Sequence, residues 1–198
     1  MFPESTDDPV AVFGAWLEEA KSRKDVAEPT AMCLATSTPE GVPSARMVLL
    51  KSADARGFVF YTNLESRKGG ELTANLNAAL CFFWQPLGHQ VRVEGVVEPV
   101  SAAEADEYFA SRARQSRIGA WASKQSRELE GGTKQLLAEA AKIALHYPVG
   151  EIPRPPHWSG FRLVPKRIEF WEQGDFRLHK RLAFTREGSG WNAERLYP

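Results

Sequence analysis

Between Ala31 and Asn63 the sequence runs AMCLATST, SARMVLLKS and GFVFYTN, three stretches rich in apolar, β-branched and aromatic residues, parted by the turn-forming PEG and DARG. Connections that short cannot carry a parallel crossover, so strands joined by them must run antiparallel. The pattern predicts three strands in meander order. AALCFFWQ and HQVRVEGVVEPV, joined by PLG, predict a further hairpin, and the C-terminal part offers GFRLVP with RIEFWE, then RLHKRLAFTR and WNAERLYP joined by EGSG. Helical signals are interspersed. Asp8 and Pro9 open an amphipathic segment with Phe13, Trp16, Leu17 and Ala20 on one stripe. Ser66 opens a short helix at SRKGGELTANL, Ser101 and Glu104 make a capping box for SAAEADEYFASR, and TKQLLAEAAKIALH supplies a fourth. About seven strands and four helices with hairpin-length connections predict an α+β fold, an antiparallel barrel decorated by peripheral helices.

The 198 residues, 1–198, fit one domain, since single cores commonly hold roughly 100 to 200 residues. With 25 basic against 25 acidic residues and a pI near 6.9, bulk charge draws in neither nucleic acid nor an anionic membrane. Any anion must be held by local placement of cations. No apolar run approaches the ~20 residues that span a bilayer, and MFPESTDDPV has neither a basic start nor an apolar core, so a cytoplasmic location is expected. Cys33 and Cys81 both sit in apolar runs, where a thiol is expected to behave as a small core residue in a reducing compartment.

Cations recur at defined places. In YFASRARQS, Tyr108, Arg112 and Ser116 stand four apart, which on a helix makes one polar stripe, either a solvated face or an anion site. A rise of ~1.5 Å per residue puts Ser116 too far along the axis to share one anion with Tyr108, so the helix is expected to end between Arg112 and Ser116 and curl into a cup. In a strand, Arg177, His179 and Arg181 of RLHKR would share one face, fitting either an outer edge or a pocket for an anion or an electron-rich ring. Arg46 and Lys51 of RMVLLK, five apart, fall on opposite faces of an unbroken strand, so they serve different groups or a bulge intervenes. Arg67 and Lys68 sit with two glycines at a helix start, where free N–H groups and the helix dipole favour anions. The four histidines show no HExxH or paired metal spacing, so no metal is expected, and no Gly-x-Ser-x-Gly elbow supports a serine hydrolase. Several placed cationic clusters in a neutral chain point to more than one phosphate.

Taken in order, RMVLLK, YTNLESRKG, QVRVEG, YFASRARQSRIGAWASKQS, IEFW and RLHKR resemble the pyridoxine/pyridoxamine 5'-phosphate oxidase family, over nearly the whole chain from about residue 8. The resemblance implies a split β-barrel and a homodimer with FMN at the subunit interface. It implies oxidation of pyridoxamine or pyridoxine 5'-phosphate to pyridoxal 5'-phosphate, with O2 as acceptor and H2O2 as product. Carried over by position, the FMN contacts would be Arg46, Met47, Val48, Leu49, Leu50 and Lys51, then Tyr61, Thr62, Arg67, Lys68 and Gln90. Gln125, Ser126, Trp171 and Arg181 would complete that set. Lys51, Tyr108, Arg112 and Ser116 would hold the substrate, with Arg177 and His179 over its ring as the candidate catalytic pair.

The sequence departs from the family pattern at Lys180, where Asp is usual, and at Ser159, where a second Gly is usual. It also begins just before the first helix, without the basic arm that some members fold over the substrate, so a more open site is expected. Phenazine-pathway flavin oxidases are similar in sequence but lack the Lys of RMVLLK and the Tyr-Arg-Ser pattern. A non-catalytic flavin or B6-phosphate binder on the same barrel is the third reading.

Overall fold

The computed structural model describes residues 1–198. It contains nine β-strands and five α-helices: α1 (Pro9–Ser22), β1 (Ala31–Ser37), β2 (Pro43–Leu49), β3 (Ser52–Asp54), β4 (Gly57–Asn63), α2 (Arg67–Ala74), β5 (Asn77–Trp84), β6 (His89–Pro99), α3 (Ala102–Ser111), α4 (Arg114–Ala122), α5 (Gly132–His146), β7 (Trp158–Glu172), β8 (Lys180–Glu187) and β9 (Gly190–Arg195). All strands join one antiparallel sheet in the order β2-β1-β5-β6-β7-β4-β3, with β8 and β9 branching from β7. The sheet curls into a split barrel of the α+β class with the helices outside it.

The barrel splits because β7 is long. Its first half, Trp158 to Leu163, pairs with β4, and its second half, Arg167 to Glu172, pairs with β8. Along its other edge β6 pairs with it from Phe161 to Glu172, with a register shift at Glu94/Gly95. A Cβ on Gly95 would meet the Val164 carbonyl oxygen at 2.1 Å, so only glycine allows the two backbones to approach there. The expected meander of the first three strands is not formed. β1 and β2 make a hairpin, β4 pairs instead with β7, and β1 pairs with β5, so the two hairpins are separated by β5, β6 and β7. SARMVLLKS itself breaks at Leu50 and Lys51, giving β2 and a short β3.

Alternation along the strands turns Met32, Leu34, Leu80, Phe82, Val91, Val93, Phe170 and Leu182 into the barrel, where α1 closes one end with Phe13, Trp16 and Leu17. Asp8 accepts from the Val10 N–H and Pro9 occupies the first turn, the start expected for α1. Cys33 and Cys81 are not core residues. They are direct ladder partners, both free and partly exposed, on the outward face, because the inward positions are Met32, Leu34, Leu80 and Phe82. No helix is long and apolar enough to cross a membrane.

Candidate active site

A cavity of about 700 Å³ opens between β2, β4, the start of α2, the end of α3 and one face of α4. α3 is held against the barrel by its own cap. Ser101 and Glu104 exchange the two capping hydrogen bonds, and Glu104 also accepts from the buried Arg162 of β7 at 2.6 Å. Its last helical residue is Ser111, and Arg112 is the C-cap, so the predicted break before Ser116 is present. α4 starts afresh at Arg114 and brings Ser116 to the cavity in its first turn. It is anchored by Trp121 Nε1 donating to the Pro153 carbonyl at 2.8 Å and by Asn63 Nδ2 donating to the Ser123 carbonyl at 3.2 Å.

Tyr108, Arg112, Ser116 and Lys51 therefore all line the cavity. Lys51 reaches it because the strand breaks after Leu49, and Arg46, which does not line the cavity, serves a different group; the Lys51 Nζ lies 5.9 Å from the centre of the Tyr108 ring. The Arg112 guanidinium stands 4.9 Å over the Trp158 ring, and its Nη1 is buried without a hydrogen-bond partner. Burial pulls the Arg112 pKa below the ordinary arginine value, with Tyr108 pulling weakly the other way. Tyr61 stacks on Tyr108 at 4.2 Å and on Trp158 at 5.2 Å, so three near-parallel rings make a rigid wall behind the cations.

Met47, Val48, Leu49, Thr62, Lys68 and Gln125 join the lining. Lys68 Nζ donates to Gln125 Oε1 at 2.8 Å; burial and the neighbouring Arg46 both push its pKa down. Ser66 caps α2 by accepting from the Gly69 N–H, which leaves Arg67 and Lys68 in the first turn. Of the anticipated residues, Arg46, Leu50, Arg67 and Ser126 do not line the cavity. Arg46 and Arg67 are drawn to the buried Glu71 behind it, and Leu50 is a core residue, 3 % exposed. Ser126 is exposed, with a left-handed φ of 71°.

Gln90, Trp171 and Arg181 form a second group elsewhere, directly opposite one another across β6, β7 and β8 on the outward face. Arg181 is gripped by Glu169 through Nε at 2.9 Å and Nη2 at 2.8 Å, and it donates to the Tyr197 carbonyl at 2.9 Å. His179 packs at 4.6 Å from Trp171, its Nδ1 accepting from the Gly174 N–H at 3.3 Å. The strand parity expected for Arg177, His179 and Arg181 fails. β8 begins only at Lys180, and the chain before it turns through Phe176 and Arg177, both at positive φ of 54° and 64°. None of Gln90, Trp171, Arg177, His179 or Arg181 lines the cavity of the same chain.

Residues 18–147 match the family model described as pyridoxamine 5'-phosphate oxidase, and residues 158–198 match the pyridoxine 5'-phosphate oxidase C-terminal dimerisation region. The chain belongs to the pyridoxamine 5'-phosphate oxidase family. With it the chain is an oxidoreductase, and it carries the family's dimerisation region. It is 62 % identical over 196 residues to the pyridoxine/pyridoxamine 5'-phosphate oxidase of Rhodospirillum rubrum, covering 96 % of each chain, and 59 % identical to that of Maricaulis maris, covering 97 % of this chain and 86 % of the relative. Among solved structures it is similar to PhzG from Burkholderia lata, crystallised with tetrahydrophenazine-1-carboxylic acid, with a TM-score of 0.92, 37 % identity, and coverage of 100 % of this chain and 98 % of that one. An FMN-binding, oxidase-related protein of Nostoc punctiforme shares the fold at a TM-score of 0.76 and 16 % identity, covering 98 % of this chain and 100 % of that one.

Of the family departures, Lys180 is spent on the surface, paired with Glu172 at 2.7 Å and lying over Phe2. The cavity also holds residues that the sequence reading did not assign: Asn63, Ala113, Gly119, Ala120, Ser123 and Trp158. Ser116, Gly119, Ala120 and Ser123 follow the three, four and seven spacing of one helix face, a run of small residues that was open to detection. Trp158, near the cationic RLHKR stretch, reads from sequence either as pocket wall or as core, and the structure makes it cavity wall. No group of three or more His, Cys, Asp or Glu gathers to hold a metal.

Proposed function

We propose that this family member is an FMN-dependent oxidase of phosphorylated B6 vitamers, acting in the cytoplasm as a homodimer and as one functional unit over residues 1–198. The observation that carries the reading is a single cavity lined by two groups of phosphate-directed donors: Lys68 at the start of α2, and Tyr108, Arg112 and Ser116 around the α3–α4 break with Lys51 from the β2–β3 link. The unpartnered, buried Nη1 of Arg112 supplies the test of fit, because a buried guanidinium nitrogen without an acceptor is costly and an incoming phosphate oxygen satisfies it. The volume lies within the ~300 to 1,000 Å³ of small-molecule sites.

FMN, when bound, supplies acceptance of two electrons from the substrate carbon and their delivery to O2, giving H2O2. The chain supplies position. Met47, Val48, Leu49, Tyr61, Thr62, Lys68 and Gln125 would hold the flavin in the cavity, with Arg46 and Arg67 behind the phosphate. Lys51, Tyr108, Arg112 and Ser116 would hold the substrate phosphate, placing the carbon that bears the amine or alcohol against the flavin. Gln90, Trp171 and Arg181, which do not line this cavity in their own chain, would reach the flavin bound by a partner subunit. Arg177 and His179 would cover the substrate ring in the same way. Of that pair the imidazole is the better proton acceptor. Exposed Met47, Phe83, Phe176 and Leu178 support a covered outer face in the dimer.

The likeness to PhzG favours a second reading, oxidation of a tricyclic phenazine precursor. The four-residue phosphate cup weighs against it. Purified protein should be yellow with a flavin spectrum and should release peroxide with pyridoxamine or pyridoxine 5'-phosphate, and far less with the unphosphorylated vitamers. Flavin-loaded protein that turns over neither phosphorylated vitamer, yet oxidises a tetrahydrophenazine carboxylate, transfers the assignment to the second reading.

A further inference from the structure

Glu71 lies in the second turn of α2 with its side chain 7 % exposed, and it does not line the cavity. Both its oxygens are fully used. Oε1 accepts from Arg67 Nε at 2.8 Å, while Oε2 accepts from Thr36 Oγ1 at 2.5 Å, Ser44 Oγ at 2.7 Å and Arg46 Nη2 at 3.0 Å. Arg46 comes from β2 and Arg67 from the first turn of α2, so one carboxylate ties together guanidinium groups from two separate elements. Arg46 also donates to Thr36 Oγ1, Ser44 Oγ and, at 3.4 Å, the Leu34 carbonyl, which leaves its head no rotational freedom. Lys68, one residue beyond Arg67, has no carboxylate partner and points to Gln125.

We infer that Glu71 is a positioning residue: it fixes Arg46 and Arg67 behind the cavity wall so that they back Lys68, which lines it, in a three-cation seat for the phosphate of the flavin mononucleotide. The inference rests on the flavin reading given above. Charge alone argues the other way, since a carboxylate beside a phosphate repels it. Stability alone argues weakly, since a buried ion pair adds little over a well-packed apolar pair of the same volume. Orientation is what remains. One carboxylate against three cations still leaves a net positive seat, and the long arginine side chains no longer lose their freedom when the anion arrives.

The two effects have opposite signs in Glu71→Gln. If Glu71 only neutralises, the variant adds positive charge near the phosphate and FMN binds more tightly. If it positions, FMN binds more weakly. Apoprotein would be titrated with FMN and with riboflavin, which lacks the phosphate, following the quenching of flavin fluorescence. The expected result is a Kd for FMN raised about tenfold or more, the loss of one charge-assisted hydrogen bond, with the Kd for riboflavin changed less than about twofold. Unchanged or tighter FMN binding overturns the inference, as does an equal loss for both ligands. Should Glu71→Gln not fold, Glu71→Asp keeps the charge but withdraws it by one methylene, and it must still lower the preference for FMN over riboflavin. Wild-type protein that binds FMN and riboflavin equally overturns the flavin-phosphate reading itself, which separates the two failures.

Discussion

Arg112 combines three properties that rarely coincide: its guanidinium is half-buried, it is stacked on Trp158, and one of its nitrogens has no protein partner. Arg112→Ala should therefore raise the KM for pyridoxamine 5'-phosphate roughly 10- to 150-fold, the loss of a charged hydrogen bond worth ~1.5 to 3 kcal/mol. The Kd for FMN should move far less, because Lys68 and Gln125 bond to each other and Arg112 stacks instead on Trp158. Equal losses in both would show that the two groups are one site. Trp158→Leu keeps an apolar wall but removes the cation–π support at 4.9 Å, so KM should rise by a smaller factor, about 2- to 30-fold for ~0.5 to 2 kcal/mol. Glu71 makes a prediction about acid. Burial opposes its charge, but the hydrogen bonds from Thr36, Ser44, Arg67 and Arg46 prevail and hold its pKa at about 2 against 4.5. A depressed carboxyl contributes stability that is present above pH 4.5 and lost as the pH falls towards 2, here about 3 kcal/mol. Urea midpoints measured from pH 6 down to about 2.5 should fall more steeply for wild type than for Glu71→Gln; parallel curves would remove Glu71 from the acid transition. The donors around the cavity were legible one at a time, because each sits at a strand break or helix end. The role of Glu71 was not, because its partners Thr36 and Ser44 are 35 and 27 residues away.

Among the elements, α2 bears the tightest local constraint. Its N-terminus packs so closely on the preceding loop that a Cβ at Gly69 would lie 2.2 Å from the Leu64 carbonyl oxygen, whereas one at Gly70 meets nothing within 4 Å. Gly69→Ala should lower Tm, through overpacking against backbone that costs about 1 to 3 kcal/mol. Gly70→Ala should leave Tm unchanged or raise it slightly, since alanine is the better helix former by ~0.5 to 1 kcal/mol. Thermal unfolding of the pair decides this; two shifts of the same sign would mean that the close approach is not what holds α2. The same contrast explains which elements were readable. Helix starts at Asp8, Ser66 and Ser101 were, because a cap is written in three or four adjacent residues. The end of α3 at Arg112 was readable from a distance argument, since Tyr108 and Ser116 cannot reach one anion along a straight axis. The meander was misjudged because adjacency in sequence does not decide pairing when a later strand as long as β7 competes for the edge of β4. RLHKR was misjudged because its first residues belong to a turn with two consecutive positive φ values, and strand parity has no meaning before Lys180.

For the molecule as a whole, the decisive fact is that the anticipated site residues fall into two groups on one chain. One group surrounds the cavity and includes Lys51, Lys68 and Arg112; the other, Gln90, Trp171 and Arg181, lies across the outward face of β6, β7 and β8, a region overlapping the matched dimerisation segment 158–198. If each active site is built from the cavity of one subunit and the outward row of its partner, two defective subunits can repair each other. Lys68→Ala and Arg181→Ala should each have little activity as homodimers. Mixed, dissociated and reassociated at equal amounts, they should form heterodimers as about half of the population, by random pairing in a two-fold dimer. In each heterodimer one site inherits both substitutions and the other inherits neither, so the mixture should regain about a quarter of wild-type activity. A mixture no more active than its components would place both groups in the same subunit's site and would contradict the shared-site reading. The same mixing with Lys68→Ala and Arg112→Ala, both in the cavity group, should restore nothing, because every heterodimer site then carries one of the two substitutions.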